Sequence, residues 1–302
     1  MAIVIAHGGL PPKFTLGALF SQWSFDPIAF SLIVFTGLVY WWGLRRIRGQ
    51  KPVFPGSRVA AFYGALAVCM LALLSPIDTY GDVSFAGHMA QHLLLVLVAA
   101  PLFALGTPIT LLLRAARPET RKRIVLPILQ SAPVSILTRP VFAWLFFAVV
   151  QYATHFTGFY NAAENHVWIH AFEHGLYLLS GVLFWWPVVG LDPAPHRLSY
   201  PARILYVVLA MPLSAFLGVA IISASAPLYA HYAHLPPPWA SGVMNDQNDA
   251  GALMWEVGGI ASLIAVLLVA AAWFRHDEAR QRRIEEDIDR AAGTSTGVLE
   301  AR

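Results

Sequence analysis

Eight of the chain's eleven histidines, His88, His92, His155, His166, His170, His174, His231 and His234, fall in or beside the ends of long apolar runs. An imidazole at membrane depth is costly without a partner, so several arriving at one depth from separate helices point to a shared ligand, most naturally a metal. The spacing supports that chemistry. His88 and His92 stand at i and i+4, and His166, His170 and His174 repeat the interval twice, which puts each set on one helix face with rings about 6 Å apart along the axis. Imidazole suits copper, zinc, iron and nickel, while the thioethers of Met89 and Met254 add soft character that favours Cu(I). Glu173, beside His174, is placed to orient a ligating ring.

The elements that must carry these rings are membrane helices. Of 302 residues 57% are hydrophobic and only 12% charged, against roughly 25% charged in a soluble domain. Apolar runs of the ~20 residues needed to cross the hydrocarbon core recur at 26–46, 57–75, 84–105, 139–157, 167–189, 201–223 and 248–274. The expected fold is therefore an all-α integral membrane protein, a seven-helix bundle over residues 1–275 followed by a charged, partly disordered tail over 276–302. The segment 106–138 mixes prolines, cations and aliphatic residues, as an amphipathic stretch on a membrane surface would. Residues 1–6 are too short for the apolar core of a cleavable leader, so the first span is expected to direct insertion.

Lysine and arginine set the orientation. Arg45, Arg46, Arg48, Lys51 and Arg58 join spans one and two, and Arg114, Arg117, Arg121, Lys122, Arg123 and Arg139 join three and four. Arg197 and Arg203 lie between five and six, and Arg275, Arg280, Arg282 and Arg283 follow seven. The alternate connections, 76–83, 158–166 and 224–247, contain neither residue. Cations accumulate on the cytoplasmic side, so the amino terminus is expected outside and the carboxyl terminus inside. This sidedness accounts for the basic balance and argues against nucleic-acid binding. The lone Cys69 excludes an intrachain disulfide and any paired-cysteine metal clamp.

Counting inward from the outer boundary, His88 and His170 come to similar depth, with His92 and His174 about 6 Å deeper. Two layers of paired imidazoles follow if the faces meet. Span four delivers His155 to the same end, and the 224–247 connection brings His231 and His234 over it. Asp78, Asp82, Glu164, Asp246 and Asp249 make the outer face acidic, a surface that attracts metal ions.

The run His88-Met89-Ala90-Gln91-His92-Leu93-Leu94-Leu95 with Ala100-Pro101-Leu102-Phe103-Ala104-Leu105-Gly106-Thr107-Pro108 resembles the third-span signature of the membrane-integral CtaG-type cytochrome c oxidase assembly factors. Thr154-His155-Phe156 with Tyr160-Asn161-Ala162-Ala163, the run from His166 to His174 ending at Phe184-Trp185-Trp186-Pro187, and Asp246-Gln247 leading to Gly251 and Met254-Trp255 resemble the same family in the same order. The resemblance covers roughly residues 85–256 and implies a non-enzymatic assembly protein of the bacterial plasma membrane. It implies that copper, as Cu(I), is held or delivered toward the outer face for an oxidase subunit or another copper chaperone. The expected ligands are His88, Met89, His92, His155, His166, His170, His174 and Met254, with Glu173, Asp246, Gln247 and His231 as supporting or inlet groups. Two other readings of the residues stay open: a haem clamped by His92 and His174, and a copper permease, which would need a polar path below those rings.

Overall fold

The computed structural model describes residues 10–234, 240 and 242–300, with the side chains of Glu164, Asp289 and 291–300 outside that description. The reading of residues 1–6 and the inlet role of Glu164 therefore lie outside the described part. Among the described residues every regular element is helical. Six helices are long and apolar enough to cross a membrane: Pro27–Arg46 (α1), Gly56–Leu74 (α2), Phe85–Ala115 (α3), Val167–Val189 (α5), Tyr200–Ile222 (α6) and Val243–Ile288, the apolar and charged part of α7. The remaining expected span, Pro140–Phe156 (α4), is an apolar helix of 17 residues, two fewer than the shortest of the six. Its length falls at the lower edge of what a bilayer core requires.

Local chemistry sets the helix starts. Asp26 accepts the amides of Ile28 and Ala29 with Pro27 at the first helical position, while Pro108, Pro140 and Pro201 stand in the first turn of their helices without a side-chain cap. The 106–138 segment resolves into short helical pieces, among them Pro108–Ala115, which ends the stretch labelled α3, Leu126–Leu129 and Ala132–Leu137. Thr107, in the left-handed region at φ 48°, breaks the backbone direction just before them. α7 continues without interruption past residue 275 as an exposed helix through the charged residues.

The bundle packs around two lines of close approach. α6 and α7 form the most extensive pairing, with α7 also against the start of α3, while α5 packs on α4 and on the later part of α3. Gly181 brings α5 onto α3: a Cβ there would lie 3.0 Å from the Ala100 Cβ and 3.2 Å from the Val96 Cα. Residues Leu94–Ala99 of α3 are wound as a π-helix, a rare geometry that frees carbonyls from the ordinary ladder. The Val96 carbonyl accepts the Trp185 indole N–H at 2.8 Å. That junction lies immediately below His92, so the histidine-bearing turns of α3 and α5 are held together from beneath.

Candidate metal centre

α3 presents His88 and His92, and α5 presents His170, Glu173 and His174, toward one interhelical space. The His88 and His170 rings are 5.3 Å apart between centroids, and those of His92 and His174 5.7 Å. Along each helix the successive rings are 4.2 Å apart (His88 and His92) and 4.3 Å apart (His170 and His174). Two paired layers result. A nitrogen from each of His88, His92 and His174 lies within 4.8 Å of the others, and the same holds for His88, His170 and a carboxylate oxygen of Glu173. The two triads share His88.

Burial makes this space chemically unusual. His92 is 2% exposed and Glu173 0%, yet neither ring nitrogen of His92, neither oxygen of Glu173 and not the Nε2 of His174 has a hydrogen-bond partner. Buried polar atoms without partners cost about 1–3 kcal/mol each, so a cluster of them is retained for a reason other than stability. The separation between His88 Nε2 and Glu173 Oε2 is 3.9 Å, too long for a hydrogen bond. It matches two ligands on either side of one ion with bonds of about 2.0–2.2 Å. The donor set fits a metal ion: imidazoles supply neutral nitrogens, and Glu173 supplies the one anionic oxygen.

Aromatic and amide groups frame the cluster. Tyr177, one turn below His174, stacks on His92 with centroids 3.9 Å apart and planes at 18°. Tyr160, fully buried, lies 5.2 Å from His88 and 6.0 Å from His155. Gln91 donates to the Ala72 carbonyl at 2.9 Å and to Asp78 at 2.8 Å, tying the histidine turn of α3 to α2 and to the short helix Pro76–Gly81. Gln91 and Tyr160 stand in the motif runs quoted from the sequence without a role assigned to them, and Tyr177 was not named there. For Tyr177 a signal existed, because it follows His174 by three residues and so shares the histidine face of α5.

The other expected residues sit elsewhere. His155 is buried at the end of α4, with Nε2 3.3 Å from the Met89 sulfur. His166 is the exposed N-cap residue of α5, and His234 is exposed at the end of the helix Ala230–His234. His231 is buried with Nε2 2.8 Å from the Asp82 carbonyl oxygen. Met254 packs in the apolar cluster that contains Phe85, Met89 and Tyr160. Asp246 accepts the Ser84 hydroxyl at 2.7 Å, the Phe85 amide at 2.6 Å and the Ala86 amide at 3.3 Å, so it caps α3 from α7. Gln247 accepts the Leu228 amide and donates to the Ile221 carbonyl.

A groove of about 410 Å³ reaches the cluster from one flank, between α1, α2 and α5. Its walls are mainly apolar, His170 and His174 form part of its lining, and Asp26 and Asp78 line it at the end with the lysine-free connections.

Residues 38–276 match the protein family described as cytochrome c oxidase caa3 assembly factor. The chain is also similar to uncharacterized proteins of Mycobacterium bovis and Mycobacterium tuberculosis, 29% identical to each over 290 residues, which is 94% of this chain and 43% of the relative. A third relative, an uncharacterized protein of Mycobacterium leprae, is 29% identical over 276 residues, 89% of this chain and 42% of its own. The chain thus spans about two fifths of the length of the curated relatives it matches. No solved structure matches it.

Proposed function

The chain belongs to the cytochrome c oxidase caa3 assembly factor family, and from that premise we propose that it holds copper near the outer face of a bacterial plasma membrane and passes it toward the oxidase. In this reading it crosses the membrane seven times, with α4 as the short span, and catalyses no reaction. The receiving partner is an oxidase subunit or another copper chaperone. The observation that carries the reading is a pair of buried triads sharing His88, one with His92 and His174 and one with His170 and Glu173, in which both nitrogens of His92, both oxygens of Glu173 and Nε2 of His174 have no hydrogen-bond partner.

Charge balance favours the monovalent ion. Neutral imidazoles with the single carboxylate of Glu173 make a neutral assembly around Cu(I), whereas a divalent ion leaves an uncompensated charge in a low-dielectric interior. His170, half-buried on the groove, is placed to receive the ion first, and His92, in the next layer down, to hold it. Crowding disfavours a haem between His92 and His174. The His88 ring, 4.2 Å from His92 and 6.0 Å from His174, occupies space that a macrocycle there would need.

Replacing His92 or His174 with Ala tests this. The variants are expected to insert and accumulate, to carry less copper after detergent purification, and to lower active cytochrome oxidase in the cell. Variants that accumulate normally, bind as much copper and support a fully active oxidase overturn the proposal. A Soret band in the purified wild type would replace it with the haem reading.

A further inference from the structure

We propose that Met89 and His155 form a second, soft metal seat beside the imidazole and carboxylate cluster, selective for a monovalent d10 cation such as Cu(I). The inference rests on the metal-handling reading above and adds to it a separate station with a different ligand chemistry.

The protonation pattern around His155 leads to it. Tyr177 O–H has Thr154 Oγ1 as its partner at 2.6 Å, and the Thr154 hydroxyl donates to the Val150 carbonyl at 2.8 Å. His155 Nδ1 lies 2.8 Å from the Gln151 carbonyl oxygen. A carbonyl has no proton to give, and the two hydroxyls that also stand 3.2 Å from Nδ1, those of Thr154 and Tyr177, direct theirs to the closer Val150 carbonyl and Thr154 Oγ1, so Nδ1 carries the hydrogen and donates it to Gln151. Nε2 of the neutral ring is then an acceptor, and what it faces, at 3.3 Å, is the Met89 sulfur, itself only an acceptor. Two lone pairs meet with no hydrogen between them. Met89 is 0% exposed and His155 4%, so water does not relieve the contact. A cation does.

The ligand class follows from the two atoms. A thioether and a neutral imidazole are soft donors without charge, a set that selects Cu(I) over hard or divalent ions. Bonds of about 2.0 Å to nitrogen and 2.3 Å to sulfur span the present separation at a bent angle, and the three rotatable bonds of methionine let it open. The seat adjoins the cluster. Met89 follows His88 on α3, and the Tyr160 ring stands between, 5.2 Å from His88 and 6.0 Å from His155. One helix therefore offers nitrogen donors on one face and a sulfur donor on the next, so an ion can be partitioned between two stations according to softness.

The test uses detergent-purified full-length protein in a Cys69→Ala background, so that the buried thiol contributes no sulfur. Cu(I) loaded anaerobically should show a sulfur scatterer at about 2.3 Å by X-ray absorption. Met89→Leu, close in volume, should remove that signal and weaken Cu(I) at least tenfold against a competing chelator. His155→Phe should weaken Cu(I) likewise. Both should leave the visible absorption of Co(II) bound at the cluster of His88, His92, His170, His174 and Glu173 unchanged. An unaltered sulfur signal, Cu(I) affinity within twofold of wild type, or loss of Co(II) binding in step with Cu(I) overturns the proposal, since the pair would then serve packing alone. If the cluster excludes the divalent ion and the parent protein binds no Co(II), nitrogen-coordinated Cu(I) retained by Met89→Leu replaces that control, its loss overturns the proposal, and the sulfur signal still decides the Met89 seat on its own.

Discussion

Glu173 is a carboxyl group with no exposed surface and no hydrogen bond to either oxygen, which makes it a liability to the metal-free protein. Glu173→Gln is therefore expected to move two quantities in opposite directions. Removing a buried group able to carry charge should raise the melting temperature of the metal-free protein by about 2 °C or more. Removing the anionic ligand should weaken Co(II) binding about tenfold or more. Thermal unfolding and a Co(II) titration on the same preparations check both, and a variant that loses stability together with affinity would show Glu173 to be a structural group. His231, outside the spans, gives a pH dependence. Burial lowers its pKa, opposed by the hydrogen bond its ring makes to the Asp82 carbonyl. The unfolded chain then binds a proton that the folded one resists, so this contribution is full above about pH 6.5 and is lost as the pH falls. The stability difference between wild type and His231→Phe should change below that pH and stay level above it.

At the scale of the helices, the sequence located the spans because each needs only its own composition and length to be recognised. The boundaries of α1, α2, α5 and α6 fall within one or two residues of the apolar runs. What it did not disclose depends on partners distant along the chain. Asp246 was expected as a supporting or inlet group from the acidic outer face and the resemblance, and Gln247 from the resemblance alone, and the structure shows the Asp246 carboxylate engaged by a helix start 160 residues earlier. The π-helical turn below His92 was equally invisible, since Leu94–Ala99 reads as an ordinary apolar run. Asp246→Ala is expected to leave three donors of α3 without an acceptor and to cost about 1–3 kcal/mol. Thermal unfolding measures this, and copper content should fall with it because the uncapped turn carries His88. A tighter constraint joins α6 to α7. A Cβ on Gly218 would lie 2.5 Å from the Gly251 carbonyl oxygen, and one on Gly251 2.8 Å from the Gly218 carbonyl oxygen. Gly218→Ala must push backbone against backbone, so a loss on the order of 1–3 kcal/mol is expected, without the change in Co(II) spectrum that a cluster variant would give.

For the molecule as a whole, the i and i+4 spacing of two helices sufficed to anticipate that His88 faces His170 and His92 faces His174, because rise per residue fixes depth once both helices start from the same surface. It did not show which other histidines join them: His166 has the right interval yet is the exposed N-cap residue of α5, with extended backbone, so the i and i+4 helical relation does not reach it. The functional reading depends on which surface that is. The cluster and the groove lie at the end of the bundle whose connections hold no lysine or arginine, and cations gather on the cytoplasmic side. Trp168, exposed beside the groove, and Lys122, in the cationic connection, mark opposite ends. In a Cys69→Ala background, Trp168→Cys should react with a membrane-impermeant maleimide added to intact cells, while Lys122→Cys should react only after the cells are made permeable. The reverse pattern would put the cluster at the cytoplasmic face, and copper acquired outside could then reach it only by crossing the bilayer. The mainly apolar segments of α3 and α5 below His92 and His174 offer no series of polar groups for that passage, so the pattern of labelling decides between delivery at the outer face and a different function.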